Sequence, residues 1–324
     1  MSKRITIFLV LLLVLTLAVS EGISAEEDFK AALLVSGNVD DEGWNQSAYE
    51  GLVLIQEKHG WDIAYTETVG QAEQYDIMRS YANQGFDLII GHGFQYEDAL
   101  SRAAEQHPDV YFLQIGGLAE NGDNLSSAVF ADGHSGYLPG VLAAGMTESK
   151  KIGLIGAEAL PTITTEFAAM QNAIKNYDED IEIMESYIGS MVDVGGARET
   201  AIAQISQGVD IIVPIGDAAI IGVIEAALEE DIYVVGWSRD QSFMAPDLIV
   251  ASLVQKIDLA IADFAEMIVD NEFPGTNKLL GLDNGYIKLD YFKDFVPEEL
   301  VNEIKETEEK IIKGEIDLFG DMAR

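Results

Sequence analysis

The chain has 324 residues, 56 Asp and Glu against 19 Lys and Arg, a formal net charge of −37 and no cysteine. Such a charge repels phosphate backbones and anionic lipid, which argues against nucleic-acid binding and against a surface that clings to membranes. A hydrophobic content of 48% fills real cores, the length suits two domains, and the missing cysteines remove disulfides, thiolate metal sites, a thiol nucleophile and a lipid-modified cysteine.

Residues 1–25 read as a secretory leader. Lys3 and Arg4 form a basic start, Ile5 to Val19 is an apolar run short for a membrane span, and small residues follow. The expectation is an exported protein, free in the periplasm and not lipid-anchored. From residue 29 the patterns of strand and helix alternate. Lys30–Ser36, Trp61–Glu67, Leu88–Ile90, Val110–Ile115 and Ser126–Phe130 read as strands. Gln46–His59, Glu73–Gln84 and Glu97–Gln106 read as helices, stopped by Gly60, Gly85 and Pro108. Short apolar strands in a β-α-β-α rhythm predict a parallel sheet covered on both faces.

The rhythm restarts at Ser135. Gly136–Met146 is an apolar helix rich in small residues, as at a tight helix interface. Strands follow at Lys151–Ile155, Ile181–Tyr187, Ile211–Ile215, Tyr233–Gly236 and Ile249–Leu253. Helices are expected at Glu166–Asn176, Ala197–Gln207, Gly222–Glu229 and Leu259–Val269, then an extended Leu279–Leu289 and a charged helix Pro297–Lys313. Two α/β units of similar size lie in tandem.

In open α/β sheets, ligands sit in loops at the carboxyl ends of strands. The first such loop, Ser36 to Asn45, holds Asp40, Asp41, Gly43, Trp44 and Asn45. A ring to stack on Trp44 and edges for the carboxylates or the amide to bond would suit a small planar polar ligand. Alternatively, Asp41 or Asn45 caps the next helix and Trp44 is its hydrophobic staple, the reading this loop alone favours. Gly93 and Phe94 follow the third strand, and Trp237, Ser238, Arg239 and Asp240 follow a strand of the second unit. Trp44 and Trp237 either sandwich a ring between the units or fill cores. Arg239 is the cation placed to meet an anionic or carbonyl-rich ligand, or else pairs with Asp240. Lys256 is a site residue or a hinge ion pair, and Glu158 and Glu166 are the next candidates for a ligand with amino groups. The four histidines lack metal-ligand spacing, and neither a Gly-x-Ser-x-Gly elbow nor a phosphate loop ending Gly-Lys-Ser/Thr occurs. No catalytic group, metal or cofactor is expected, although Asp40-Asp41 keeps a nucleoside-cleaving enzyme open.

Across nearly all of the mature chain an ordered set of motifs resembles a known family. It runs Asp40-Asp41-x-x-Trp44-Asn45-Gln46 to Gly51, then Tyr81-Ala-x-Gln-Gly-x-Asp-Leu-Ile-Ile-Gly91 and Gly136-Tyr-Leu-x-Gly140. Gly189-Ser-x-x-Asp193, Gly208-x-Asp-Ile-Ile212 and Asp240-Gln-x-x-x-Ala-Pro246 follow, with Ser252 and Lys256. Together these are similar to the basic membrane protein family of ABC-transporter substrate-binding proteins, whose best-known members bind purine nucleosides. The resemblance implies an α/β chain with a type I periplasmic-binding-protein fold, two Rossmann-like lobes joined by three crossovers. One lobe would be residues 29–133 with 256–281, the other 134–255 with 282–324. By position, Trp44 takes the base-stacking aromatic, Asn45 the motif amide, Phe94 a cleft wall and Lys256 a contact to the sugar region.

This chain departs from the family where carboxylates hold ribose. It has Ser36 after the first strand, Gly116 after the fourth, and Ser238-Arg239-Asp240-Gln241 where the family run begins with an acid. Two arginines and a Phe of the family are replaced by Thr164-Thr165-Glu166. Asp41-Glu42-Gly43-Trp44 looks like the run in members that bind free adenine. The expected function is capture of a purine base or nucleoside by a monomer that delivers it to an ABC permease. The ligand-binding set is Ser36, Asp41, Trp44, Asn45, Gly93, Phe94, Trp237, Ser238, Arg239, Asp240 and Lys256. A different small heteroaromatic or polar metabolite, or a ligand sensor feeding a membrane receptor, are the alternatives.

Overall fold

The computed structural model describes residues 29–320; the expected leader lies outside them. The first sheet contains β1 (Lys30–Leu34), β2 (Asp62–Thr66), β3 (Leu88–His92), β4 (Tyr111–Ile115), β5 (Leu125–Phe130) and β11 (Lys278–Leu280), in the order β11-β5-β4-β3-β1-β2. Every pairing in it is parallel. The second contains β6 (Lys151–Gly156), β7 (Glu182–Tyr187), β8 (Ile211–Ile215), β9 (Tyr233–Gly236), β10 (Ile249–Gln255) and β12 (Ile287–Asp290), in the order β12-β10-β9-β8-β6-β7. Here β12 runs antiparallel to β10.

The helices are α1 (Trp44–His59), α2 (Gln74–Asn83), α3 (Glu97–Gln106), α4 (Asp132–Met146), α5 (Pro161–Tyr177), α6 (Val194–Ile205), α7 (Ile220–Glu230), α8 (Ile257–Val269) and α9 (Glu298–Ile312). The chain leaves the first sheet after β5, returns after β10, and leaves again after β11. That gives two doubly wound lobes joined by three crossovers. The extended stretch expected at Leu279–Leu289 is two strands in different sheets, with a turn through Asn284 between them. Several helix starts lie earlier than the apolar pattern indicates, whereas α3 starts where expected and α2 and α9 one residue later. Pro161, whose missing N–H costs nothing at a first helical position, opens α5 five residues before Glu166. Likewise α1 opens on Trp44.

The strands are dense in Leu, Ile, Val and Ala because both faces are covered by helices. Glycines set how close the covering helices come. A Cβ on Gly51 of α1 would meet Ile261 of α8 at 2.9 Å, which ties the returning helix to the first lobe. In the second lobe, a Cβ on Gly136 of α4 would lie 2.1 Å from the Glu166 carbonyl oxygen of α5, and one on Gly140 2.7 Å from that of Met170. We expect Gly136→Ala to push these helices apart and to cost about 1–3 kcal/mol of stability, as overpacking does. Urea denaturation measures this; an unchanged midpoint would refute the close contact.

Each sheet has its topological switch beside its first strand: β1 lies between β2 and β3, and β6 between β7 and β8. The crevice outside the carboxyl ends of such strands is where α/β folds hold ligands.

Candidate ligand-binding cleft

A cavity of about 800 Å³ is lined by residues from the carboxyl ends of both switch points. Ser36 follows β1, His92 ends β3 and Gly93 follows it, Glu158 follows β6, and Gly216 and Asp217 follow β8. Its volume lies within the range of roughly 300–1,000 Å³ found for small-molecule sites.

Trp44 is half-buried in the cavity wall. Its indole stacks on His92, with centroids 4.5 Å apart and planes at 24°, and meets Phe130 edge-on at 6.2 Å. Room for the ring comes from Gly116, where a Cβ would stand 3.1 Å from the indole, and whose φ of +71° itself favours glycine. His92 Nε2 donates to the Trp44 carbonyl oxygen at 3.0 Å. Burial drives the His92 pKa down to about 3, only partly opposed by that bond, so the imidazole is neutral at physiological pH. Its Nδ1 is then a lone-pair acceptor, and it is buried without a partner among the described residues.

The loop before α1 is organised by Asp41. Its Oδ1 accepts from the Gly43 and Gln46 N–H groups, each at 3.0 Å, and its Oδ2 from the Asn45 N–H at 3.0 Å and the Asn45 amide at 2.8 Å. Four donors occupy this carboxylate, and it does not line the cavity. The Asn45 amide also donates to Asp217 Oδ2 at 3.1 Å, so one side chain bridges the lobes. Burial raises the Asp217 pKa to about 7, helped by the charges of Asp41 and Glu158 and opposed by the Asn45 bond.

Of the other sequence candidates, Ser36, Gly93, Phe94, Trp237 and Ser238 line the cavity. Ser36 Oγ accepts from Gln95 Nε2 at 2.6 Å. Phe94 is 40% exposed at the rim, held by Gln114, whose Nε2 donates to the Gly93 and Phe94 carbonyls at 3.1 and 3.2 Å. Trp237 is only 3% exposed and packs into the main core cluster, so it forms the cavity's back wall rather than a free face opposite Trp44. Ser238 sits beside it at φ +67°.

Arg239, Asp240 and Lys256 are not in the lining. Arg239 does not pair with Asp240: its Nη2 reaches across to Glu50 of α1 at 3.0 Å. Asp240 accepts from the Ser242 N–H at 2.9 Å. Lys256 sits at the second crossover, its backbone N–H on the Tyr286 carbonyl at 2.8 Å. A further interlobe bond runs from Gln241 Nε2 to the Glu42 carbonyl at 3.0 Å.

Sequence reading missed Asp217, Asp132 and the role of His92. Asp217 had a usable signal, since it follows a strand as Trp44 does. The cavity lining holds five acids, Glu97, Asp132, Glu158, Glu166 and Asp217, and among the described residues no lysine or arginine. Among those residues no group of three or more His, Asp or Glu could hold a metal ion, and no helix is long and apolar enough to cross a membrane.

Two doubly wound lobes facing each other across a ligand-sized cleft define the type I periplasmic-binding-protein fold of solute-binding proteins. The family profile described as ABC transporter substrate-binding protein PnrA-like, Bmp, matches residues 29–321, and the chain belongs to this family. It is 28% identical over 312 residues to the ABC transporter nucleoside-binding protein BmpA of Lactococcus lactis, covering 89% of this chain and 88% of that one. It is 26% identical over 276 residues to the transcriptional activator protein med of Bacillus subtilis, covering 85% and 86%. A solved ABC transporter solute-binding protein from Aeropyrum pernix superposes with a TM-score of 0.83 at 20% identity, over 89% and 92% of the chains.

Proposed function

We propose that this protein is an exported receptor that captures a purine base or nucleoside between its lobes and hands it to an ABC permease. The observation that carries this reading is the Trp44 indole, backed by His92 on one side and facing the cavity at the mouth of the first switch point. A planar ring stacks there with no charge needed, because His92 is neutral. The relative named a nucleoside-binding protein supports the choice of ligand. The proposed site is Ser36, Trp44, Asn45, Phe94, Ser238 and Asp217, with Asp41 and Trp237 shaping it from behind. Arg239 and Lys256 would act at the lobe junction and the hinge. Export to the periplasm as a monomer completes the reading.

Ligand binds the closed form better and so draws the lobes together. Mass spectrometry of the compound that co-purifies, followed by calorimetry with adenine, adenosine, guanosine and inosine, tests the ligand. A tightly held compound without an aromatic ring would overturn the purine assignment. Small-angle scattering should show compaction on saturation with that compound, and an identical profile would refute closure.

A further inference from the structure

The stacking platform leaves unused a pair of carboxyls on the second lobe's side of the cavity. Asp132 is the first residue of α4, just beyond the first crossover, and Glu166 lies in the second turn of α5. Gly136 brings the two helices into backbone contact at this level. Both side chains line the cavity. Glu166 is only 4% exposed, and among the described residues neither carboxyl has a hydrogen-bond or ion-pair partner.

Glu166 is a buried residue and Asp132 a half-buried one, with carboxyl oxygens open to the cavity, and a carboxyl held in such a place without a partner is costly. Protein groups do not pair these two. Burial pushes the pKa of Asp132 up to about 7, and burial together with the Asp132 charge pushes that of Glu166 well up. Each group therefore keeps its proton to a higher pH than an ordinary carboxyl does. Even with a proton on each, the four oxygens offer more acceptor positions than donors. A ligand edge rich in N–H groups satisfies that surplus, whereas a carbonyl-rich edge meets at most two donors and an anionic group meets repulsion wherever either carboxyl is ionised. The absence of lysine and arginine from the described lining points the same way.

We propose that Asp132 and Glu166 form a subsite for an N–H-rich group, an exocyclic amine or an amidine-like edge, on a planar ligand that carries no anionic group. The proposal rests on the cleft being the ligand site, but not on the ligand being a purine.

The test is calorimetry on the full chain, wild type and Glu166→Gln, with adenosine and guanosine against inosine, and with benzamidine against benzamide. The wild type should prefer an amino-bearing purine over inosine by about tenfold or more, as hydrogen bonds to charged groups do. Glu166→Gln should erase most of that preference with little change for inosine. Asp132→Asn should act in the same direction, which guards against a fold-specific effect of either change; circular dichroism checks both. If inosine binds as well as both amino purines and neither variant alters the ranking, the subsite is refuted and the purine reading stands. If neither these nucleosides nor adenine binds but benzamidine binds over benzamide and loses that advantage in Glu166→Gln, the subsite stands and the purine reading falls. If none of the five compounds binds, and adenine does not bind either, both readings are overturned.

Discussion

Trp44→Ala is expected to weaken binding of the natural ligand by about 1–3 kcal/mol, roughly 5- to 150-fold, the range measured when a base loses its aromatic partner. The indole is half-buried, with His92 beneath it and Phe130 at its edge, so its truncation removes the platform and bares the imidazole. Trp44→Phe keeps a π face over His92 and should retain much of the affinity. The first lobe should stay folded, since its fully buried side chains, such as Leu33, Leu52 and Ile90, are untouched. Calorimetry with the co-purifying compound, alongside thermal melts, separates binding from folding. A Trp44→Ala protein that binds normally would make Trp44 a staple of α1, and the placement of the site would fail with it.

The two-lobed fold was legible from the alternation of apolar runs and capped helices, because a strand buried on both faces leaves an unbroken apolar segment in the sequence. Several helix starts were not, as where Pro161 begins a helix without adding to the apolar stripe. The rule that ligands lie in loops after strands pointed to Trp44, Phe94 and Ser238, which line the cavity. The same rule points to Asp217, which a search for aromatics passed over. Side-chain direction was out of reach. Arg239 leaves its own loop for Glu50 across the lobe junction, a choice made by the packing of two distant segments. Nor does the sequence distinguish Asp41, saturated by four donors, from Asp217, which receives one. His92 ends a strand as one more buried residue, and its stacking on Trp44 depends on how β3 and α1 meet.

The cleft should also be pH-sensitive, with Asp217 as a principal cause. Its pKa is raised from 3.8 to about 7, above all by burial and then by the nearby Asp41 and Glu158 charges. A carboxyl with a raised native pKa stabilises the protein fully below its unfolded value. That contribution is lost as pH climbs from near 4 through about 7, because within this window the native state binds the proton that the unfolded chain has released. The same sign applies to closure, since opening the lobes rehydrates Asp217. Asp132 and Glu166 shift in the same direction and add to the slope. The ceiling for Asp217 alone is on the order of 4 kcal/mol, from about three pKa units at 1.36 each. Asp217→Asn isolates it, because the amide oxygen still accepts from Asn45 but never charges. We expect this variant to be more stable than wild type at pH 8 by about 1–3 kcal/mol and nearly equal to it at pH 5. Ligand-free wild type should expand between pH 5 and pH 8 in small-angle scattering, and the variant should expand less. If urea denaturation gives both proteins the same dependence on pH, Asp217 is solvated in the ligand-free state, and its amide bridge to Asn45 forms only once ligand closes the cleft.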